Sequence, residues 1–201
     1  MSHSVVVTVP AESHALTTLD AVKLRLGITD NAKDALLSEL ITQASAMIET
    51  YLGRAVGIAT YKETWRVPSV ARRDSLVLAY SPVTAVSSVI EDTVTLVQDT
   101  DFELVPETGI IYRVSENVRF RWLYAVEITY TSGWDPVPAD IEAICIDLVA
   151  QASLQTTRDP SIQLELTEGV GRVAYFNRGW SSYAFDDAMK TSLAAYTTVC
   201  A

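Results

Sequence analysis

The stretch NAKDALLSELITQASAMIETYLG, residues 31–53, decides the fold class of this 201-residue chain. Its apolar side chains recur at steps of three and four residues, and polar side chains fill the opposite positions. This spacing predicts a long amphipathic helix over about residues 31–53, capped by Asp30 or Asn31 and closed by Gly53. Its apolar face must be buried, either within its own domain or against a neighbouring copy. That face comprises Leu37, Leu40, Ile41, Ala44, Met47, Ile48, Tyr51 and Leu52.

Shorter helical signals lie on both sides of this segment. Thr17 and Thr18 can cap a short helix that Gly27 ends. Pro138 suits the first turn of a second long helix, over about residues 138–155. A terminal helix is expected over residues 186–196, and residues 4–9 indicate a short strand or an arm. The apolar face of the second long helix contains Ile141, Ile144, Cys145, Leu148, Val149 and Ala152.

Between the two long helices the apolar period changes from helical to alternating. Residues 58–131 contain at least five β-rich segments. They include 75–80, 83–90 and two segments with alternating apolar and polar side chains, 61–67 and 122–130, in which the apolar side chains are expected to be buried. The turn at residues 106–109 predicts a hairpin. The predicted fold class is therefore α+β, with an antiparallel β domain inserted into a layer of two long helices. The predicted divisions are 1–57 (arm and helical part), 58–134 (inserted β domain), 135–158 (completing helix) and 159–201 (C-terminal arm with a short helix).

The composition excludes several classes of protein. An apolar fraction of 49% is too high for a chain that stays disordered. No apolar stretch is long enough for a membrane span, and the N-terminus does not look like a secretory signal. The net charge of −10 argues against a protein that grips DNA phosphates, because no basic stripe is visible in the sequence. Two cysteines do not make a disulfide framework, so we expect a reducing compartment.

The residues of catalysis and metal binding are sparse or poorly spaced. Both histidines, His3 and His14, precede the first helix, and the cysteines Cys145 and Cys200 are far apart. We expect Cys145 to be a buried structural thiol. The segment 99–101 resembles part of a calcium loop without its glycine and closing glutamate, so a solvated turn is expected. We therefore predict no catalytic residue, no metal site and no cofactor.

Two further patterns have structural explanations. Acidic pairs are frequent because the chain has 25 acidic residues, and none carries a mark of a raised pKa. The short Gly-x-Gly at residues 169–171 is not followed by a long helix, so it predicts a turn in an extended arm rather than a dinucleotide site. The aromatic segment 175–185 either folds back onto the chain's own core or docks on a partner.

The order of several segments is similar to that in tailed-bacteriophage head–tail connector (adaptor, head completion) proteins. The opening LTTLDAVK (16–23), DALL (34–37) and ASAMIETYLGR (44–54) resembles theirs. So do LVLAYSPVTAV (76–86), ITYTSGW (128–134) and VPADI (137–141), and then EGVG (168–171) with Tyr175. The resemblance covers about residues 16–175, and the last 25 residues match only loosely through the terminal helix.

The resemblance implies a structural virion protein rather than an enzyme. Such proteins form a ring, usually of twelve copies, beneath the portal at the capsid vertex. The ring extends the DNA channel, lets DNA pass without specific binding, and offers a surface to the stopper or tail. Assembly takes place in the host cytoplasm, and no membrane is involved. The implied partners are the homo-oligomer's sister subunits, the portal protein, and a stopper or tail protein.

Two residue sets follow from this resemblance. The two long helices would pack as the ring-forming layer, with the β domain at the periphery, and the C-terminal segment would engage the portal. The predicted ring-forming residues are Leu37, Ile41, Ile48, Tyr51, Ile141, Ile144 and Leu148. The predicted portal-binding residues are Tyr175, Phe176, Trp180, Tyr183, Phe185, Leu193 and Tyr196.

Two alternative functions stay open at this point. One is another neck or tail component, such as a stopper or a tail terminator. The other is a β-rich carbohydrate-binding module that presents Trp65, Trp122 or Trp134 to a sugar. Exposed tryptophans would favour the carbohydrate-binding module, and buried ones would favour the connector.

Overall fold

The computed structural model describes residues 3–66, 73–115, 118–156, 164–167, 171–174 and 185–197. Within these ranges the fold is α+β, with four helices and antiparallel sheets, which agrees with the predicted class. The helices are α1 (Leu19–Leu26), α2 (Asp34–Leu52), α3 (Ala139–Thr156) and α4 (Asp187–Ala194). The strands are β1 (His3–Val9), β2 (Ala59–Trp65), β3 (Ser75–Val77), β4 (Val83–Glu91), β5 (Val94–Leu96), β6 (Phe102–Val105), β7 (Ile110–Ser115), β8 (Val118–Phe120), β9 (Val126–Ser132), β10 (Leu164–Thr167) and β11 (Gly171–Ala174).

The described residues form two compact units. The sheet unit takes in those of residues 1–14 and 52–137 together with Thr197, and the helical unit takes in those of residues 15–51 and 138–196. Strands β10 and β11 pair antiparallel within the helical unit's part of the chain.

The larger sheet of the sheet unit has the strand order β1-β2-β9-β4-β5, and every neighbouring pair is antiparallel. Alternate residues of its central strands point into the core, because successive side chains of a strand lie on opposite faces. Tyr61 of β2 faces Tyr130 of β9, and Val89 of β4 faces Ile128 of β9. All four side chains are buried, which gives this sheet one apolar face.

The smaller sheet has the order β3-β7-β6, with β8 also paired to β7. The predicted hairpin turn at residues 106–109 joins β6 to β7, and Gly109 adopts a φ of +66° there, which glycine tolerates without strain. Leu76, Ile111 and Trp122 are completely buried and join the core of the larger sheet.

Local signals place the ends of α1 as the sequence predicts. The Thr18 hydroxyl accepts a hydrogen bond from the Ala21 N–H, and Gly27 ends the helix in the left-handed conformation. Helix α2 begins at Asp34 rather than near residue 31. The reason is that the Asp30 carboxylate accepts from the Ala32 N–H and caps a turn that precedes the helix.

Two strand boundaries differ from the predicted ones, and two short strands were not predicted. Strand β9 begins at Val126 rather than near Trp122, because the N–H groups of Leu123 and Tyr124 donate to the Glu91 carboxylate instead of to a strand. Strand β3 ends at Val77, before the predicted limit at residue 80. The three-residue strands β5 and β8 were not predicted, because such short segments carry no period.

Candidate assembly surfaces

Arg54 links three of the sequence segments that resemble the connector proteins. It is only 6% exposed. Its guanidinium donates to the Ser81 carbonyl oxygen and, over 2.9 Å, to the Ser132 hydroxyl. The same group lies 4.6 Å from the ring centroid of Trp134 and 5.3 Å from that of Tyr80. Burial lowers the pKa of Arg54. Its hydrogen bonds and ring contacts hold the three segments together.

Gly133, in the segment ITYTSGW (128–134), occupies a position where no side chain fits. Its φ is +139°, and an added Cβ would lie 2.4 Å from the carbonyl oxygen of Gly57. The Trp134 N–H donates to the Val56 carbonyl oxygen over 3.0 Å, which holds the two segments together. The close approach of these two backbones therefore requires glycine.

A second buried charge, Glu63 on β2, anchors strand β1. Glu63 is 0% exposed and accepts hydrogen bonds from the His3 Nε2 at 2.7 Å, the Ala79 N–H at 2.7 Å and the Tyr130 hydroxyl. Burial and the Glu63 carboxylate raise the pKa of Tyr130, so its hydroxyl keeps the proton that it donates. His3 also stacks on Trp65, with 3.8 Å between the ring centroids. Residues 3–9 are therefore an ordered strand of the sheet and not a loose arm.

Toward its C-terminal end, β1 exposes its valine side chains to solvent. Val6, Val7 and Val9 are 57%, 53% and 56% exposed, and β1 pairs with β2 alone among the described strands. Exposed apolar side chains on an edge strand are uncommon, because such an edge pairs readily with other chains. We call the outer backbone edge of β1, together with the exposed side chains of Val6, Val7 and Val9, the β1 edge.

At the opposite side of the same sheet lies a second apolar patch, formed by Val94, Leu123 and Tyr124, which are 60%, 45% and 56% exposed. Glu91 holds it together. Glu91 of β4 is the strand partner of Val94 of β5. The Glu91 carboxylate accepts hydrogen bonds from the Leu123 and Tyr124 N–H groups at 3.0 and 3.4 Å. Arg113 neutralises that carboxylate over 2.9 Å. We call Val94, Leu123 and Tyr124 the β5 patch.

The predicted ring-forming residues lie mainly inside the helical unit. Six of the seven are between 0% and 8% exposed within the single chain, and only Tyr51 reaches 37%. The interior also contains Ser45, whose hydroxyl accepts from the Leu16 N–H and lies 3.6 Å from the Cys145 sulfur. Burial raises the pKa of the Cys145 thiol, as expected for a structural cysteine. The six buried residues are Leu37, Ile41, Ile48, Ile141, Ile144 and Leu148.

Of the predicted portal-binding residues, three lie in the described ranges. Leu193 of α4 is completely buried. The Tyr196 hydroxyl donates to the Asp140 carboxylate at 2.7 to 2.8 Å, and burial followed by this hydrogen bond raises the pKa of Tyr196 to about 12. The third, Phe185, is half-buried. The remaining four, Tyr175, Phe176, Trp180 and Tyr183, lie outside the described residues.

Phe185 borders an apolar groove on the helical unit. Its ring lies 4.9 Å from that of Tyr51, measured between centroids. Together with three residues of α2 these rings line an open groove of about 440 Å³. None of the described residues that line it is charged, so the groove suits an apolar ligand group or side chain. The α2 residues are Ala46, Met47 and Thr50.

The structure brings together arginines that are distant in sequence. Arg73 forms a β-bridge with Trp122, next to Arg121, and the Arg121 guanidinium lies 2.9 Å from the Asp74 carboxylate. Arg119 of β8 lies two residues before Arg121 in the sequence. No local pattern in the sequence indicates that Arg73 and Arg121 are close, because the two segments are distant in the chain: Asp74 and Arg121 are separated by 47 residues. Asp74 offsets part of its charge.

The other candidate chemical sites are structural features or lie outside the described residues. In the part of the chain that is described, no three His, Cys, Asp or Glu side chains are grouped as metal ligands. Asp101 accepts from the Val97 N–H and closes a turn over residues 97–101. No helix within the described ranges has the length and apolar character needed to cross a membrane. The predicted Gly-x-Gly turn includes residues 169 and 170, which lie outside those ranges.

The tryptophans bear on the carbohydrate-binding alternative. Trp65 is 5% exposed and Trp122 is 0% exposed, so neither ring offers a face to a sugar. Trp134 is half-buried and carries the Arg54 guanidinium against its ring. These positions argue against a sugar-stacking surface built from the three residues.

Comparison with known proteins places the chain in a family. A family model described as "Head completion protein" (HCP) matches residues 15–153, well over half of the chain. The fold is similar to that of a chain in the neck of an empty GTA particle computed with C6 symmetry, with a TM-score of 0.54 and 18% identity. A chain in the virion of the native gene transfer agent (GTA) particle gives a TM-score of 0.55 and 19% identity.

Both alignments cover 100% of this chain and 97% of the other chain, and at these identities they show a shared fold. No curated protein is significantly similar in sequence. The resemblance inferred from the ordered sequence segments is thus confirmed by an independent family match. The chain belongs to the head completion protein family.

Proposed function

We propose that this protein is a structural component of the neck of a tailed phage or phage-like particle, where it forms a ring beneath the portal. The observation that carries the proposal is the head completion match over residues 15–153, supported by a fold shared along the whole chain with proteins of a GTA neck and virion. In this role the protein is not an enzyme, and it resides in the virion after assembly in the host cytoplasm.

The helical unit supports the ring in this proposal. In the proposed ring, side chains exposed on α2 and α3 contribute to the contact with the neighbouring subunit, while the six buried predicted ring-forming residues stabilise the helical unit from inside. A twelvefold ring, which the family resemblance implies, is compatible with the C6 symmetry applied to the related neck, because twelve is a multiple of six.

The C-terminal segment is the proposed portal contact. The groove bordered by Tyr51 and Phe185 is apolar and open. Phe185 is also the last residue of the proposed docking segment 175–185, so an apolar groove at this residue suits an aromatic contact. Leu193 and Tyr196 support this segment from within the chain, because Leu193 is buried and Tyr196 is bonded to Asp140. The direct contacts are assigned to the aromatic residues from Tyr175 to Phe185.

DNA would pass through the ring without being gripped. The net charge of −10 per copy is repelled by phosphates, and a twelve-copy ring multiplies that charge. The stopper or tail protein would bind the face of the ring that is distant from the portal.

The experiment that tests this function is electron microscopy of the protein mixed with the portal protein from the same source. We expect an additional ring stacked on the narrow end of the portal, with twelve copies. The matched sample uses DNA-filled heads, so that a requirement for packaged DNA is also covered. Bare portals in both samples would overturn the connector function. A ring bound only to tails would instead identify a stopper or tail terminator.

The portal contact has its own test. Trp180→Ala combined with Phe185→Ala should abolish attachment to the portal while circular dichroism remains unchanged. The matched control is Leu24→Ala, because Leu24 is 85% exposed on α1 and lies outside the proposed contact. Attachment by the double variant equal to that of the control would contradict the docking role of the segment.

A further inference from the structure

Strand β1 is an edge strand of the larger sheet within the described residues, and it lacks most of the usual protections of such an edge. The sequence SVVVTV, residues 4–9, is free of charge and of proline, and has one irregularity in pairing, between Val7 and Val9. Edge strands in soluble proteins are normally protected by charges, prolines or bulges, because their open N–H and C=O groups pair with other strands. Residues 4–7 have none of these protections, so a strand of another chain can pair with them.

The opposite side of the same sheet, at β5, also exposes uncharged apolar side chains. Strand β5 pairs with β4 alone among the described strands, and the β5 patch beside it is uncharged. The earlier part of β4 carries two irregularities in its register, between Val83 and Ala85 and between Val86 and Ser88. These irregularities protect that part of β4, so β5 and the β5 patch form the accessible portion of this side.

Charge favours contact between these two surfaces. Two copies that each carry a net charge of −10 repel one another, so a stable contact between copies is easiest where neither surface is charged. The β1 edge and the β5 patch meet that condition, and their exposed valines and aromatic ring would be removed from water. Backbone hydrogen bonds across the two edges would add direction to the contact.

Symmetry selects the same pair of surfaces. A closed cyclic ring joins two different surfaces of each subunit, and these must lie on different sides of it. The β1 edge and the β5 patch lie on opposite sides of one five-stranded sheet. We infer that β1 of one copy pairs with β5 of the next copy, with the β5 patch covering Val7, which lies on the same face of β1 as its strand partner Tyr61 does on β2. This inference rests on the proposed ring.

Cross-linking tests this contact in assembled particles. The chain carries Val7→Cys together with Val94→Cys, in a background in which Cys200 is changed to Ser; the remaining Cys145 is buried. The probe is a short bis-maleimide applied to purified particles. We expect a ladder of covalent dimers, trimers and larger species from the double variant, and monomers from either single variant.

The matched control combines Val7→Cys with Leu24→Cys, because Leu24 is more exposed than Val94 but lies on α1 of the helical unit. We expect this control to remain monomeric. A double variant that remains monomeric in particles with a visible ring would overturn the inference and leave the proposed function intact. Dimers from Val7→Cys alone would also overturn it, because β1 would then meet β1. Particles without any ring of the unmodified chain would overturn both.

A charge introduced at the edge gives a second test. Val7→Lys should reduce the amount of this protein that assembles as a ring on the portal at least tenfold, because the ammonium group would be buried against the next copy. Val7→Thr keeps a β-branched, uncharged residue and should retain attachment, while Leu24→Lys controls for added charge. Attachment by Val7→Lys equal to that of Leu24→Lys, with the fold of both verified by circular dichroism, would contradict the edge contact.

Discussion

The sheet unit and the helical unit fill their interiors with different chemistry. The sheet unit buries charged groups, with Arg54 at 6%, Glu63 at 0% and Glu91 at 9% exposure, and each is held by several hydrogen bonds. The buried polar residues described in the helical unit are the neutral Thr17 and Ser45, among aliphatic side chains. The stability of the sheet unit therefore depends on hydrogen-bond geometry, and that of the helical unit depends on how its apolar side chains fit together.

This difference predicts different responses to substitution. A buried charged group that loses a partner leaves unpaired donors or acceptors, so small chemical changes have large effects. An aliphatic interior tolerates changes that conserve volume and responds mainly to cavities. The sheet unit should therefore discriminate between similar polar residues, and the helical unit between large and small apolar residues.

The largest expected effect is at Arg54. Arg54→Ala should lower the free energy of unfolding by about 4 kcal/mol, because it leaves the Ser81 carbonyl and Ser132 hydroxyl unpaired and empties space between two rings. Arg54→Lys should recover only part of this, because an ammonium group cannot replace the planar fork. Urea denaturation followed by tryptophan fluorescence measures both. Equal stability of Arg54→Lys and the unmodified chain would show that hydrogen-bond geometry does not control this interior.

The corresponding test in the helical unit is at Leu37, which is 0% exposed. Leu37→Ala should cost about 3 kcal/mol through the cavity that it creates, and Leu37→Met less than about 1.5 kcal/mol because it conserves volume. Leu24→Ala, at an 85% exposed site, should change stability by less than about 0.5 kcal/mol. Urea denaturation followed by the helical circular dichroism signal measures these differences. If Leu37→Met costs as much as Leu37→Ala, the interior depends on more than shape.

A smaller effect is expected at His3, which is 27% exposed. His3→Ala should cost about 2 kcal/mol, because Glu63 loses its one described basic partner while it remains buried. In the His3→Ala background, Glu63→Gln should recover part of the loss, since a neutral amide needs no compensating charge. Amide hydrogen exchange in residues 3–9 should increase in His3→Ala and not in Ser4→Ala. Unchanged exchange would contradict the anchoring of β1.

The smallest effect concerns Tyr196. Tyr196→Phe should cost less than about 1 kcal/mol, because the hydrogen bond to Asp140 is partly exposed to water. The pKa of Tyr196 is raised in the folded state to about 12, from about 10 in the unfolded chain. Its contribution is therefore complete below about pH 10 and is lost as the pH rises through 12. The stability difference between the unmodified chain and Tyr196→Phe, measured at several pH values, should disappear over that range.

Local signals made part of the fold predictable. The Thr18 cap and the Gly27 terminus of α1 depend on neighbouring residues, so the sequence indicates them directly. The hairpin at residues 106–109 has the same local origin. The alternation in β2 and β9 also predicted which residues are buried, because one face of their sheet is the core.

Long-range contacts explain what the sequence could not predict. Arg54 and Ser132 are separated by 78 residues, and Glu63 and Tyr130 by 67, so no local pattern reveals their bonds. The start of β9 depends on the distant Glu91 carboxylate in the same way. The apolar stripe of α2 was visible in the sequence, but only the structure shows that its residues Leu37, Ile41 and Ile48 are buried within one chain.

The most direct test of the neck function is particle assembly in cells that lack this chain. Electron microscopy of such preparations should show DNA-filled heads without tails, and supplying the chain in trans should restore tailed particles with a ring beneath the portal. The Leu24→Ala variant should restore them equally well. Normal tailed particles in the absence of the chain would contradict its role as a structural component of the neck.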